Sequence, residues 1–243
     1  MKFALQLYSL RELAQREGGE AAVRLAAETG FDGVEFAGFY GFSPKETAAL
    51  MKKYGLEPVS THSSAGAVED VLPYVKELGI RYYVDPYHAV EGFDDPEAFA
   101  AFVKAVDRAH ALLAPLGVTL GYHNHAHEFQ GGKDRVKQLL EAAPYLKAEP
   151  DVFWLHVAGL NPAEYLRNLG EKLAMVHIKE AAAENAAESP EPVVGEGVTG
   201  MEDIFAAMKE RKVPWAVLEV EHFNMGEREY LTRSLENMKK LAK

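Results

Sequence analysis

The stretch LGYHNHAHEF, residues 120–129, carries three of the chain's nine histidines at alternate positions: His123, His125 and His127. A neutral imidazole can ligate a metal through a ring nitrogen, and one with a pKa of about 6.5 can move protons near neutral pH. On a wet loop it does neither. Spacing alone leaves these readings open. The other groups able to do chemistry are acids, histidines and a lysine: Glu35, His62, Asp85, His88, Asp151, His177, Lys179, Glu180, Glu219 and Glu221.

Most of these residues lie at or just past the end of a short apolar, β-branched or aromatic run. Such runs alternate with longer helical patterns along the chain. They read as strands at 3–8 (FALQLY), 33–37 (GVEFA), 57–62 (EPVSTH), 82–85 (YYVD), 118–123 (VTLGYH), 147–153 (KAEPDVF), 174–178 (AMVHI) and 215–220 (WAVLEV). Ser43-Pro44, Asp95-Pro96 and Asn161-Pro162 each set an N-cap before a first-turn proline, and Gly55 and Gly170 stop two of those helices. Gly200 precedes MEDIFAAMKERK, and the last helix is REYLTRSLENMKKLAK. Eight strand–helix units in 243 residues predict an α/β fold, a (β/α)8 TIM barrel, as one domain over 1–243. The competing doubly wound sheet normally has a glycine-rich phosphate loop after its first strand, and LQLYSLRE has none.

Composition excludes several function classes. With no cysteine, disulfides, thiolate metal sites and cysteine nucleophiles are all removed. A formal charge of −11 opposes a nucleic-acid partner, because phosphate backbones require a basic face. No apolar run reaches the roughly 18 residues of a membrane-spanning helix. The start, MKFALQLYSLRELAQ, lacks the apolar core and cleavage site of a signal peptide. The expectation is a cytoplasmic protein without a membrane partner.

The C-terminal strand ends of a (β/α)8 barrel form its active face. Seven of the eight candidate ends carry His, Asp or Glu in otherwise apolar segments. A buried ionisable group is costly unless paired, hydrogen-bonded or metal-bound, and convergence on one mouth supplies such partners. Strands five to eight contribute His123, Asp151, His177 and Glu219. Two imidazoles and two carboxylates suit one divalent metal, with Mn, Co, Zn or Fe preferred over Mg. Each residue also has a plainer reading. A lone strand-end histidine is commonly a hydrogen-bonded structural group, Asp151 can cap the turn after its strand, and Glu219 or Glu221 can be a rim charge. His127 reads as rim and Trp215 as packing, while Trp154 can wall a sugar ring or pack. Tyr82, Tyr83 and Tyr87 read as ordinary strand residues, and AGFYGF at 37–42 as a lid or an interface.

The pieces FDGVEF, THS, GYHNHAHEF, DVFW, VHIKE, the GEG turn at 195–197 and LEVE follow one another along essentially the whole chain. In that order they resemble the xylose isomerase-like barrel superfamily, in its sugar phosphate isomerase/epimerase branch. The resemblance implies one divalent metal, with Asp151, His177 and Glu219 among its ligands. Many relatives read Glu-Asn-His on strand five, whereas this chain reads His123-Asn124-His125, so His123 stands where a glutamate is expected. Trp154 stands where such epimerases often carry a substrate-binding histidine.

In those relatives a pair of glutamates works on opposite faces of the substrate. One takes a proton from the carbon beside a carbonyl and the other returns it. Here the resemblance leaves Glu219, Glu128, Glu221 or His123 as the base, and a metal-bound nitrogen of His123 cannot serve. It implies substrate contacts from His125, His62, Trp154, Lys179, Glu35 and Glu221. Lys179 and the 195–197 turn either meet a phosphate or form a salt bridge and a simple turn. The implied activity is isomerisation or epimerisation of a sugar, sugar phosphate or keto-sugar. Elimination on a keto-sugar or inositol derivative, metal-dependent hydrolysis, and a sugar-binding barrel that has lost catalysis are the alternatives. The implied partner is a small carbohydrate, with a homodimer as a further expectation.

Overall fold

The computed structural model describes residues 1–182 and 189–243. Its strands are β1 (Lys2–Gln6), β2 (Gly33–Phe36), β3 (Glu57–His62), β4 (Tyr82–Asp85), β5 (Thr119–His123), β6 (Lys147–Glu149), β7 (Val176–Ile178) and β8 (Trp215–Leu218). The helices of the first half are α1 (Arg11–Glu17), α2 (Gly19–Thr29), α3 (Pro44–Tyr54), α4 (Val68–Leu78), α5 (Val90–Asp94) and α6 (Pro96–Leu113). Those of the second half are α7 (Arg135–Ala142), α8 (Val152–Val157), α9 (Pro162–Leu169), α10 (Met201–Glu210) and α11 (Glu227–Leu241).

The strands pair in parallel in the order β6-β5-β4-β3-β2-β1-β8-β7. Single bridges at Ala148–Leu173 and Asp151–His177 cross the seam between β6 and β7, so the ring is nearly closed. The result is a single-domain (β/α)8 barrel, as the strand–helix alternation predicts. Among the described residues no helix is long and apolar enough to cross a membrane.

The caps read from the sequence form as expected. Ser43 Oγ accepts from the Glu46 amide while Glu46 reaches back to the Ser43 amide, and Gly55 ends α3 in the left-handed region at φ 67°. Asp95 caps α6 through the Ala98 amide, and Asn161 caps α9 through the Glu164 amide.

β1, β2, β6 and β8 end earlier than the sequence suggests, and for β1 and β6 the reason is local. The side chain of Gln6 accepts from the Tyr8 amide and turns the chain into a 3-10 helix over Leu7–Leu10, so Tyr8 leaves the sheet. β6 stops at Glu149 because Pro150 has no N–H to donate to a ladder, and Asp151 then caps α8. Trp154 therefore rides on a helix and not on a strand.

Residues two apart on a strand share a face, so each strand divides its side chains between helices and barrel interior. Phe3 and Leu5 join the large apolar layer under the helices. Ala4 packs with Val59, Val84, Met175, Trp215 and Val217 in a separate plug inside the ring, which gives Trp215 its packing role. One pleat further along, the interior turns polar. Gln6 pairs in register with Glu35, and His123 with Glu149.

The register between β2 and β3 shifts at Val34/Glu35, beside Gly33. A Cβ on Gly33 would lie 2.6 Å from the Glu57 carbonyl oxygen and 2.6 Å from Val59 Cγ2. Gly33→Ala should therefore lower the unfolding free energy by roughly 1–3 kcal/mol, read from the urea midpoint. An unchanged midpoint would show that this close approach costs nothing to relieve.

Candidate functional site

The ends of β5 to β8 meet at one point. His123, Asp151, His177 and Glu219 each offer a ligand atom, and these four atoms lie within 4.8 Å of one another in a buried setting. His177 Nδ1 is 3.3 Å from Glu219 Oε2. One oxygen of Asp151 accepts from the Trp154 amide at 3.0 Å, so the capping role and a ligand role use different atoms.

The remaining buried atoms show what the group lacks. Asp151 Oδ2 and His123 Nδ1 have no hydrogen-bond partner. Buried polar atoms are rarely left unpaired, so an acceptor oxygen and a ring nitrogen without partners beside two further donors fit a cation held here. Burial, with the charges of His177 and His62 behind it, holds His123 well below the usual imidazole value and so in the neutral form. Burial pushes the Asp151 carboxyl up to about 7, against the pull of Lys179. It pushes Glu219 up as well, but the hydrogen bond and charge of His177 outweigh that and leave Glu219 at about 2.

A second tier supports the first. Glu35 Oε1 accepts from Gln6 Nε2 at 2.8 Å and stands 2.6 Å from His177 Nε2. His62 Nε2 lies 3.0 Å from Glu35 Oε1 and 3.0 Å from Glu149 Oε2. Burial lowers His62, yet the two carboxylates raise it to about 9. Burial and the neighbouring Glu35 charge raise Glu149 to about 7.

Glu35 was expected to touch substrate. It is wholly buried, does not line the cavity, and instead fixes the ring of His177. Glu149 escaped the sequence reading altogether. Its signal was its place two residues before Asp151, in a strand whose alternate residues face one side.

Above these tiers opens a cavity of about 450 Å³. His62, His123 and Glu219 contribute to its lining from the strand ends, with His125, Trp154 and Glu221 around them and Tyr8, Ala37, Pro86 and Tyr87 completing the wall. The expectation for Tyr87 needs correction. It lies past the end of β4, 56% exposed, in a turn held by Asp85, which accepts from the amides of Ala65 and Tyr87. Tyr8, 44% exposed, reaches the cavity because the 3-10 turn carries it out of the sheet. Neither tyrosine could be placed by periodicity alone.

Three further expectations change. Glu128, a candidate base, is wholly buried and absent from the cavity lining. It accepts from the Tyr122 hydroxyl at 2.7 Å and the His125 amide at 2.9 Å, and so positions His125. Lys179, a candidate substrate contact, is buried outside the cavity lining, paired with Glu221 and 3.9 Å from Glu191. Its ammonium stands 4.8 Å and 4.9 Å from the ring centroids of Phe153 and Trp154. In the 195–197 turn the Gly195 amide donates to the Glu180 carboxylate and the Glu196 amide to the Val193 carbonyl, and Glu180 also accepts from Thr199 just beyond.

His127 contacts the His88 carbonyl at 3.0 Å, outside the cavity lining. The AGFYGF segment is pinned down and not a free lid. Phe39 stacks on Tyr74 at 3.8 Å, and the Tyr40 hydroxyl donates to the Leu7 carbonyl.

A ring of eight parallel strands with imidazoles and carboxylates gathered at one end defines a (β/α)8 barrel with its ionisable groups at the mouth. The sequence profile of the xylose isomerase-like TIM barrel family matches residues 23–241, and the chain belongs to that family. None of the curated proteins compared matches the chain.

Solved structures share the fold at low identity. A sugar phosphate isomerase/epimerase from Parabacteroides distasonis is similar with a TM-score of 0.81 and 20% identity, covering 100% of this chain and 96% of that one. The IolI protein with a bound zinc atom gives 0.78 and 14%, covering 100% and 98%. The probable 3-DHS dehydratase AsbF of Bacillus anthracis, involved in petrobactin synthesis, gives 0.75 and 16%, covering 100% and 99%.

Removing the carboxylate under His177 should be felt twice. Glu35→Ala leaves a buried imidazole and the Gln6 amide without their acceptor, and should cost about 3–5 kcal/mol in urea unfolding of the metal-free protein. Glu35→Gln should fold but bind divalent metal about 10–100-fold more weakly, measured by competition with a chromogenic chelator. Wild-type metal affinity in that variant would sink the supporting role given to Glu35.

Proposed function

We propose that this barrel is a metal-dependent enzyme that isomerises or epimerises a sugar or keto-sugar by moving a proton on the carbon beside a carbonyl. The convergence of His123, Asp151, His177 and Glu219, with two of their buried atoms unpartnered, at the floor of an aromatic-walled cavity carries this reading. Those four residues would hold one divalent cation, which when bound polarises a substrate carbonyl as a Lewis acid. Two imidazoles in the donor set favour Zn, Co, Fe or Mn over Mg.

The chain's own groups handle the proton. Glu219 lines the cavity and stays ionised across the neutral range, so it is the carboxylate placed to accept the proton. His125 lines the same cavity from the end of β5, and burial with neighbouring positive charge keeps it neutral, down at about 4. Its amide is clamped by Glu128, so the ring is offered to substrate from a fixed backbone. Trp154, Tyr8 and Tyr87 wall the space and cover the apolar faces of a small carbohydrate.

A second reading, elimination of water from a keto-sugar or inositol derivative, is favoured by one observation. The carboxylates lining the cavity, Glu219 and Glu221, both follow β8, and the imidazoles lining it, His62, His123 and His125, come from the ends of β3 and β5. One carboxylate and one imidazole suffice for a base and an acid, whereas reversible transfer on two faces needs a matched pair.

The protein should be stripped of metal, reloaded with Zn, Co, Mn or Mg, and incubated with a panel of keto-sugars in D2O. Deuterium should enter beside the carbonyl in the Zn, Co or Mn form, and Glu219→Gln should slow entry by about 10²–10⁴-fold. Loss of substrate with appearance of an enone absorbance would select the elimination reading. Exchange that ignores both the metal and Glu219 would refute both.

A further inference from the structure

The loops at the barrel mouth bring cationic side chains close to the cavity, and each is already engaged. Arg11 donates to the backbone carbonyls of Tyr8 at 3.2 Å and Glu221 at 2.8 Å, with its guanidinium 4.5 Å from the Tyr8 ring centroid. Arg135 grips the Asp94 carboxylate through Nε at 2.9 Å and Nη2 at 2.7 Å, and its Nη1 donates to the carbonyls of Glu128 and Gln130. Lys179 is buried against Glu221 and Glu191 and stands over two aromatic rings.

The cavity lining itself carries two carboxylates, Glu219 and Glu221, and among the described residues no lysine or arginine. Residues 183–188, AENAAE, contain no basic side chain in the sequence. A phosphate group is recognised by guanidinium or ammonium groups, or by free backbone amides in a nest. The 195–197 turn lies outside the cavity lining, and its Gly195 and Glu196 amides are taken by the Glu180 carboxylate and the Val193 carbonyl. What the walls offer instead is aromatic surface from Trp154, Tyr8 and Tyr87, which packs on the C–H faces of an uncharged ring.

We propose that the site takes a neutral, unphosphorylated keto-sugar or cyclic polyol and turns away its phosphate ester, with Glu221 as the residue that sets this choice. Glu221 lines the cavity and pairs with Lys179, the buried cation behind the Trp154 wall, so that ammonium is withheld from an anion entering there. This inference rests on the carbohydrate reading of the site given above.

Calorimetric titration of the zinc-loaded protein tests it with matched pairs: fructose against fructose 6-phosphate, and myo-inositol against its monophosphate. The free member of a pair should bind at least tenfold more tightly, and inorganic phosphate should not compete with it. Glu221→Gln leaves Lys179 without its closest counterion and should raise the affinity for the ester, relative to that for the free sugar, about fivefold. An ester that binds wild type as tightly as its free partner overturns the proposal and leaves the carbohydrate reading standing. Binding of neither member, with zinc retained, overturns that reading and this inference with it. Equal discrimination by wild type and Glu221→Gln overturns the role of Glu221.

Discussion

The imidazole of His177 is held at both ring nitrogens, by Glu35 at Nε2 and by Glu219 at Nδ1, and the rest of the mouth is arranged around that clamp. Gln6 holds Glu35 from β1, Glu35 extends from β2, His177 from β7, and Glu219 follows β8. In the ring these four strands are neighbours, in the order β2-β1-β8-β7. One hydrogen-bonded chain therefore ties half the barrel together at the level where the interior turns from apolar to polar. His62 and Glu149 carry it on to β3 and β6. Because one nitrogen of His177 is engaged below, the other is aimed upward at Glu219, which fixes the ring plane before any ligand arrives.

Such a layer is stable only if its charges are answered. The lower tier answers its own: Glu35 and Glu149 stand against His62 and His177, each imidazole within hydrogen-bond reach of a carboxylate. The upper tier does so only in part. Lys179 and His177 draw on the carboxylates of Asp151 and Glu219, yet His123 is held neutral and both Asp151 Oδ2 and His123 Nδ1 lack a hydrogen-bond partner. Burial with incomplete compensation makes this an expensive end of the barrel. The same imbalance that costs stability is what a divalent cation would offset, so the two tiers differ in purpose although they are built from the same residue types.

Much of this was legible in the sequence, and the failures share a cause. Strand–helix alternation, the caps at Ser43, Asp95 and Asn161, and the concentration of acids and histidines at strand ends all follow from local patterns. Convergence of His123, Asp151, His177 and Glu219 followed from placing strands five to eight in a ring. Depth was not legible. Glu35, Glu128 and Lys179 have the right chemistry and sit on the right elements, yet hydrogen bonds turn each of them into the wall behind the cavity. Tyr8 and Tyr87 erred in the opposite direction. A side-chain bond from Gln6 and two amide bonds to Asp85 break the strands just before them and swing both tyrosines into the cavity. Periodicity reads which face a residue takes while the strand lasts, and these residues lie where it stops.

The histidine at position 123 then acquires a structural context. Where the resemblance leads one to expect a glutamate, this chain has an imidazole, and its register partner on the next strand is Glu149. A carboxylate is thus still present near that corner of the mouth, but it is turned to His62 and away from the cavity. The negative charge that remains in front of a substrate comes from the end of β8 alone. A cavity with carboxylates on one side and neutral or shared imidazoles on the other cannot treat the two faces of a flat intermediate alike. In the proposed reaction, proton removal would fall to the β8 side, and the return of a proton or release of a hydroxyl to the histidine side. That asymmetry follows from which strand ends reach the cavity and not from any single residue.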